Sequence, residues 1–155
     1  MSSRHHENAV IAALYALAIL ISPSANAASV DACSLLTQAQ VSAALGASTD
    51  SGSSPSASIK DTCKWTAAGP HEYVTLMFED LGAYEAGKTA PAKTVMVTPV
   101  AGVGEAAYFL AVGQNVGLVV KKGNISFKVG VYGRMPIEAK ESIEKSLASQ
   151  VIGRL

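Results

Sequence analysis

A chain of 155 residues with twelve Lys and Arg against twelve Asp and Glu is formally neutral, which excludes a general attraction for nucleic acid or for anionic membranes. Its length suits one domain with one core. Only two cysteines and three histidines are present, and His5 and His6 stand at the very start.

The first 27 residues have the grammar of a secretory signal peptide. A short polar start with Arg4 is followed by the uncharged apolar run 9–21, then by Ser22, Pro23 and the small residues Ala25 and Ala27 of an A-x-A cleavage site. Thirteen apolar residues are fewer than the roughly 20 a membrane span takes. Cleavage after Ala27 leaves 28–155 as a single domain, still neutral because Arg4 and Glu7 leave together. Val30, Asp31 and Ala32 before Cys33 do not form a lipobox. The expectation is a free exported protein, periplasmic or secreted, with no stable membrane insertion once the leader is gone. The alanine-rich composition points to a bacterial source.

In an oxidising compartment the even pair Cys33 and Cys63 forms one disulfide most simply. A metal pair or a redox dithiol lacks support, since the two are far apart and not in a C-x-x-C arrangement.

Thr37 with Gln40 makes a capping-box pattern for a short helix carrying Val41, Ala44 and Leu45, with Gly46 as its C-cap. Residues 47–58 are nearly all small and polar, which predicts a mobile loop. Cys63 and Trp65 lie two apart in a short strand and face the core together. A ligand-stacking role for Trp65 is the weaker reading. After the Gly69-Pro70-His71 turn, residues 73–80 alternate with Val74, Leu76 and Phe78 inward. Residues 81–90 suit one or two helical turns interrupted by Gly82 and Gly87. Strands follow at 93–98, closed by Pro99, and at 105–112.

The strongest pattern spans 116–132. Val116, Leu118 and Val120 alternate, then Ile125, Phe127, Val129 and Val131, around a turn in which Gly123 and Asn124 tolerate positive φ. The outward set, Val119, Lys121, Ser126, Lys128 and Tyr132, is the candidate binding face. The last helix starts near Pro136 and carries an apolar stripe of Ala139, Ile143, Leu147, Val151 and Leu155. Glu138, Glu141 and Glu144 sit in its first half as the helix dipole prefers, and Glu141 can pair with Lys145.

Motifs that resemble chemistry fail on context. Gly102, Gly104 and Ala107 match G-x-G-x-x-A, but a strand follows where a dinucleotide site needs a helix. His71 is the one histidine after the leader, and no G-x-S-x-G is present. Glu79 and Asp80 point to opposite faces of a strand and cannot share a proton. No cluster has metal-ligand spacing. No catalytic set, cofactor site or metal site is expected. The sequon Asn124-Ile125-Ser126 matters only in a eukaryotic secretory route.

The run Asp31 to Thr37 with Val41, Ala44, Leu45 and Gly46, then Cys63-Lys64-Trp65, then Gly102 to Phe109 and the hairpin, resembles an uncharacterised family of small secreted and lipid-anchored bacterial proteins of actinobacterial type. Its members open on C-S-L-L-T and carry C-x-W. The resemblance covers nearly all of 28–155. It implies an α+β domain with a bridge from the first helix to an early strand, and it implies no activity. Without a lipobox, anchoring does not carry over.

These readings converge on an α+β fold: an N-terminal helix, an antiparallel sheet of about five to six strands and a C-terminal helix packed on one face. The expected function is a non-enzymatic binding module for a protein or small-molecule partner. The alternatives are an exported small hydrolase using His71 and an envelope-associated structural protein.

Overall fold

The computed structural model describes residues 30–69, 71–89 and 92–155; the expected leader, 1–27, lies outside them. A 3₁₀ turn at Ala32–Ser34 leads into α1 (Gln38–Leu45). The remaining elements are β1 (Thr62–Thr66), β2 (Tyr73–Glu79), α2 (Leu81–Lys88), β3 (Val95–Val100), β4 (Ala106–Val112), β5 (Asn115–Lys122), β6 (Ile125–Tyr132) and α3 (Ile137–Ile152). The fold is α+β. Its six strands form one antiparallel sheet in the order β1-β2-β6-β5-β4-β3. α2 carries the chain from β2 to the far edge, and the meander β3 to β6 returns it to β2.

Local chemistry explains each boundary. The Thr37 hydroxyl accepts from the Gln40 N–H and the Gln40 side chain accepts from the Thr37 N–H, a complete capping box. Gly46 ends α1 at φ 68°, where a side chain would be strained. Asp80 caps α2 by accepting from the Ala83 N–H at 2.8 Å, so Gly82 and Gly87 do not prevent that helix. The β5–β6 hairpin closes on Gly123 and Asn124, since Lys122 pairs with Ile125. The Glu105 carboxylate accepts from the Gly123 N–H at 2.9 Å and ties the hairpin tip to the turn before β4.

One face of the sheet is the core. Val74, Leu76, Leu118, Val120, Phe127, Val129 and Val131 are fully buried there beside Cys63 and Trp65, under α1 and α3. Cys33 and Cys63 form the disulfide, with Cα atoms 5.0 Å apart. It joins the 3₁₀ turn to β1.

Three expectations need correction. Residues 47–58 are not free along their whole length: Thr49 bridges to Ala67 and Ser53 to Lys64, and Asp50 accepts from the Thr66 N–H at 3.0 Å, while residues 55–58 stay exposed. Residues 48–53 are thus pinned along the outer edge of β1, with Gly52 against the Trp65 ring. β3 runs through Pro99 instead of stopping before it. It is an edge strand, where a missing N–H faces outward, and Val95 gives its own N–H to the Ala92 carbonyl at 2.9 Å. This edge therefore offers few donors to another chain. Finally, the buried line of α3 is Lys140, Glu144, Leu147, Ala148 and Val151, while Ala139 and Ile143 are only half-covered. A strict four-residue stripe drifts around a helix of 3.6 residues per turn, so the contact line passes through two ionisable residues in the first half of α3.

Candidate functional site

Alternation places Val119 and Lys121 of β5, and Ser126, Lys128 and Tyr132 of β6, on the face opposite the core. Register pairs Val119 with Lys128 and Lys121 with Ser126. α2 crosses part of this face. Val119, only 2 % exposed, packs with Tyr84 and Tyr108, with Val97 and Leu110 alongside, and Ser126 is fully buried. These two residues cannot meet a partner, because a long-range packing element covers them. Lys121, Lys128 and Tyr132 stay half-exposed.

α2 is held by one polar contact and one close approach. The Tyr108 hydroxyl donates to the Tyr84 carbonyl at 2.9 Å. Burial, with Glu79 nearby, pushes the Tyr108 phenol up to about 12, so it stays a donor. Gly87 passes so close to that hydroxyl that a Cβ would overlap it.

Sheet order adds residues that a local reading could not assemble. β2 lies beside β6, so Tyr73 pairs with Tyr132. Their rings stack at 4.4 Å with planes 13° apart. The Lys64 ammonium from β1 sits 4.3 Å from the Tyr73 ring centre, a cation–π contact. Next to this stack Gly130 and Gly117 face each other across β6 and β5, and both are buried because neighbouring side chains fill the room they leave. The Tyr132 ring and the Lys128 stem lean into that space from either side. A small cavity of about 80 Å³ remains, walled by Leu110, Val112, Asn115, Val116, Lys128 and Tyr132 over Gly117. The alternation of Tyr73, Thr75 and Met77 in β2 was the available signal for this half of the face.

The charge balance is positive. Lys64, Lys121 and Lys128 lie on this face, and among the described residues the one ion pair is Lys88–Glu85 at 3.4 Å, within α2. Glu79 shares the face at the α2 end. Burial raises its pKa, which Lys128 counters and Asp80 reinforces.

Other candidates fall away on geometry. Trp65 is fully buried, so it does not stack on a ligand. His71 is exposed in the turn before β2 and holds a left-handed φ of 66°, a strained conformation for a residue with a side chain. Replacing His71 with Gly is expected to raise the unfolding free energy by about 1 kcal/mol, measured by urea denaturation. Esterase, amidase and glycosidase turnover should be unaffected by His71→Gly. Gly102 and Gly104 both have positive φ in the β3–β4 turn, and β4 follows them where a dinucleotide loop would open a helix. Among the described residues no group of three His, Cys, Asp or Glu could hold a metal ion, and no helix is long and apolar enough to cross a membrane.

A larger recess of about 360 Å³ lies between α2, β3 and β4, lined by Tyr84, Val97, Pro99 and Tyr108 with Lys88 and Glu105 at its rim. It brings together neither a nucleophile with a base nor a set of convergent donors. Compared with protein-family models, with curated proteins and with solved structures, the chain matches none.

Proposed function

We propose that the protein is an exported, non-enzymatic binding module, periplasmic or secreted, whose partner sits on the half of the second sheet face that α2 leaves open. The observation that carries this reading is the Lys64–Tyr73–Tyr132 stack beside the half-exposed Lys128. Aromatic rings held rigid by stacking give contact area at little entropic cost, and lysines without a salt bridge among the described residues favour an anionic partner. The Cys33–Cys63 disulfide supports export, because such bonds persist in oxidising compartments.

The test immobilises the protein and passes the soluble envelope fraction and the medium of the source cell over it. A species retained by the wild type and by Lys93→Glu, but lost from Lys128→Glu/Tyr132→Ala, is the expected result. Equal retention by all three would contradict this use of the face.

A further inference from the structure

The most unusual group in the protein is on the opposite side of the sheet. Glu144 of α3 is fully buried, and so, to within 2 %, is Lys140 one turn before it. Neither was expected inside the core. Their position explains what they do there. β5 and β6 pair only as far as Gly117 and Gly130, although β5 begins at Asn115 and β6 runs to Tyr132. Beyond that pair the two strands part. Val131 gives its N–H to Glu144 Oε1 at 2.8 Å, and Lys140 Nζ reaches the Gln114 carbonyl in the β4–β5 turn, also at 2.8 Å. Two side chains of α3 thus close the open end of the ladder. Glu144 Oε2 has no hydrogen-bond partner among the described residues.

We propose that Glu144 is a proton-operated latch that sets how tightly α3 closes the sheet where β5 and β6 part. A buried carboxyl with one oxygen accepting from Val131 and the other without a hydrogen-bond partner is favoured in its neutral form. Once ionised it is a buried charge with one oxygen unsatisfied. It then draws Lys140 Nζ from the Gln114 carbonyl or admits water, and either loosens the turn. Asn115, next in the chain, walls the small cavity on the other face, so the latch reaches the end of the proposed binding surface.

The surrounding charges are few. α3 packs against β5, β6 and α1. α1 carries no charged residue. β6 carries only Lys128, which lowers the Glu144 pKa. β5 carries Lys121 and Lys122, and Lys122 Nζ is committed to the Ile152 carbonyl at the far end of α3. On α3 itself Glu141 raises the pKa and Lys140 lowers it. Burial outweighs them all and pushes the Glu144 carboxyl up to about 8, against the Val131 hydrogen bond and the lysines.

The sign follows. Below the ordinary Glu value of about 4.3 both folded and unfolded chains hold the proton, so the contribution of Glu144 is fully present and does not change with pH. From there to about 8 only the folded chain keeps it, so this group's contribution is lost as pH rises, tenfold per unit in the unfolding equilibrium. Above about 8 both are ionised and the curve is flat again.

The test has two readouts. In the unaltered protein, the Glu144 carboxyl ¹³C and Val131 amide resonances are followed from pH 4 to 9.5. A shared step centred near 8 is expected, whereas a step between 4 and 5, or none, overturns the latch. In parallel, denaturant unfolding of the wild type and of Glu144→Gln is compared at pH 5 and pH 9. The wild-type unfolding constant should rise by on the order of a thousandfold more than that of the variant. Parallel pH curves would overturn the proposal, and if Glu144→Gln fails to fold the titration decides alone.

Discussion

Replacing Cys33 and Cys63 together with alanine should lower the unfolding free energy by about 3.5 kcal/mol on the chain-entropy model of a loop this long. The bridge closes a sequence separation of 30 residues. Within that loop lie α1 and segment 47–58, pinned at residues 48–53. α1 alone is too short to be stable, and it leans on the core through Val41, which is fully buried. Without the bridge the entropy of the whole stretch returns to the unfolded state. A domain of this size has only about 5–15 kcal/mol in total, so the loss is a large share of it. Urea denaturation of the double variant, and of the wild type with and without reductant, measures it. An unchanged midpoint would mean that the contacts of segment 47–58, and not the disulfide, hold the first third of the domain.

Gly52→Ala is expected to cost about 2–4 kcal/mol, from a left-handed backbone and from overpacking together. Gly52 has φ +77°, and its missing side chain is filled by the Trp65 ring. Gly46→Ala is the internal control. Its φ of +68° is similar, but nothing lies within 4 Å of the added Cβ, so it should cost only the conformational part, about 1 kcal/mol. Trp65 is the single tryptophan, which makes its fluorescence a direct reporter. Gly52→Ala should red-shift the emission as the segment lifts off the ring, and Gly46→Ala should leave it unchanged. Equal destabilisation by the two would refute the close packing of Gly52 on Trp65.

How legible these features were in the sequence depended on the range of the interaction. The hairpin, the capping box at Thr37, Gly46 and the pairing of Cys33 with Cys63 rest on local spacing or on simple cysteine arithmetic, and each stands in the structure. The face opposite the core was half legible. Period 2 put Lys121, Lys128 and Tyr132 on one side, but it could not say that α2 folds back over Val119 and Ser126. Nor could it say that β2 lies beside β6, which brings Tyr73 and Lys64 to Tyr132. The segment 47–58 misled because its composition lacks large apolar residues; what fixes residues 48–53 is backbone pairing to β1, which any composition can supply. Glu144 misled for a related reason. A glutamate in the first half of a helix is ordinarily a solvated partner of the dipole, and only the parting of β5 from β6 creates an N–H that needs an acceptor inside.

The functional account turns on whether the α2-free half of the sheet is the contact surface, and lysine footprinting tests that most directly. The protein is acetylated lightly with and without the retained species, and each lysine is quantified by mass spectrometry. Protection of Lys64 and Lys128, with Lys93 and Lys145 modified to the same extent in both samples, is the predicted result. Protection confined to Lys93 or Lys145, with Lys64 and Lys128 unchanged, would contradict it.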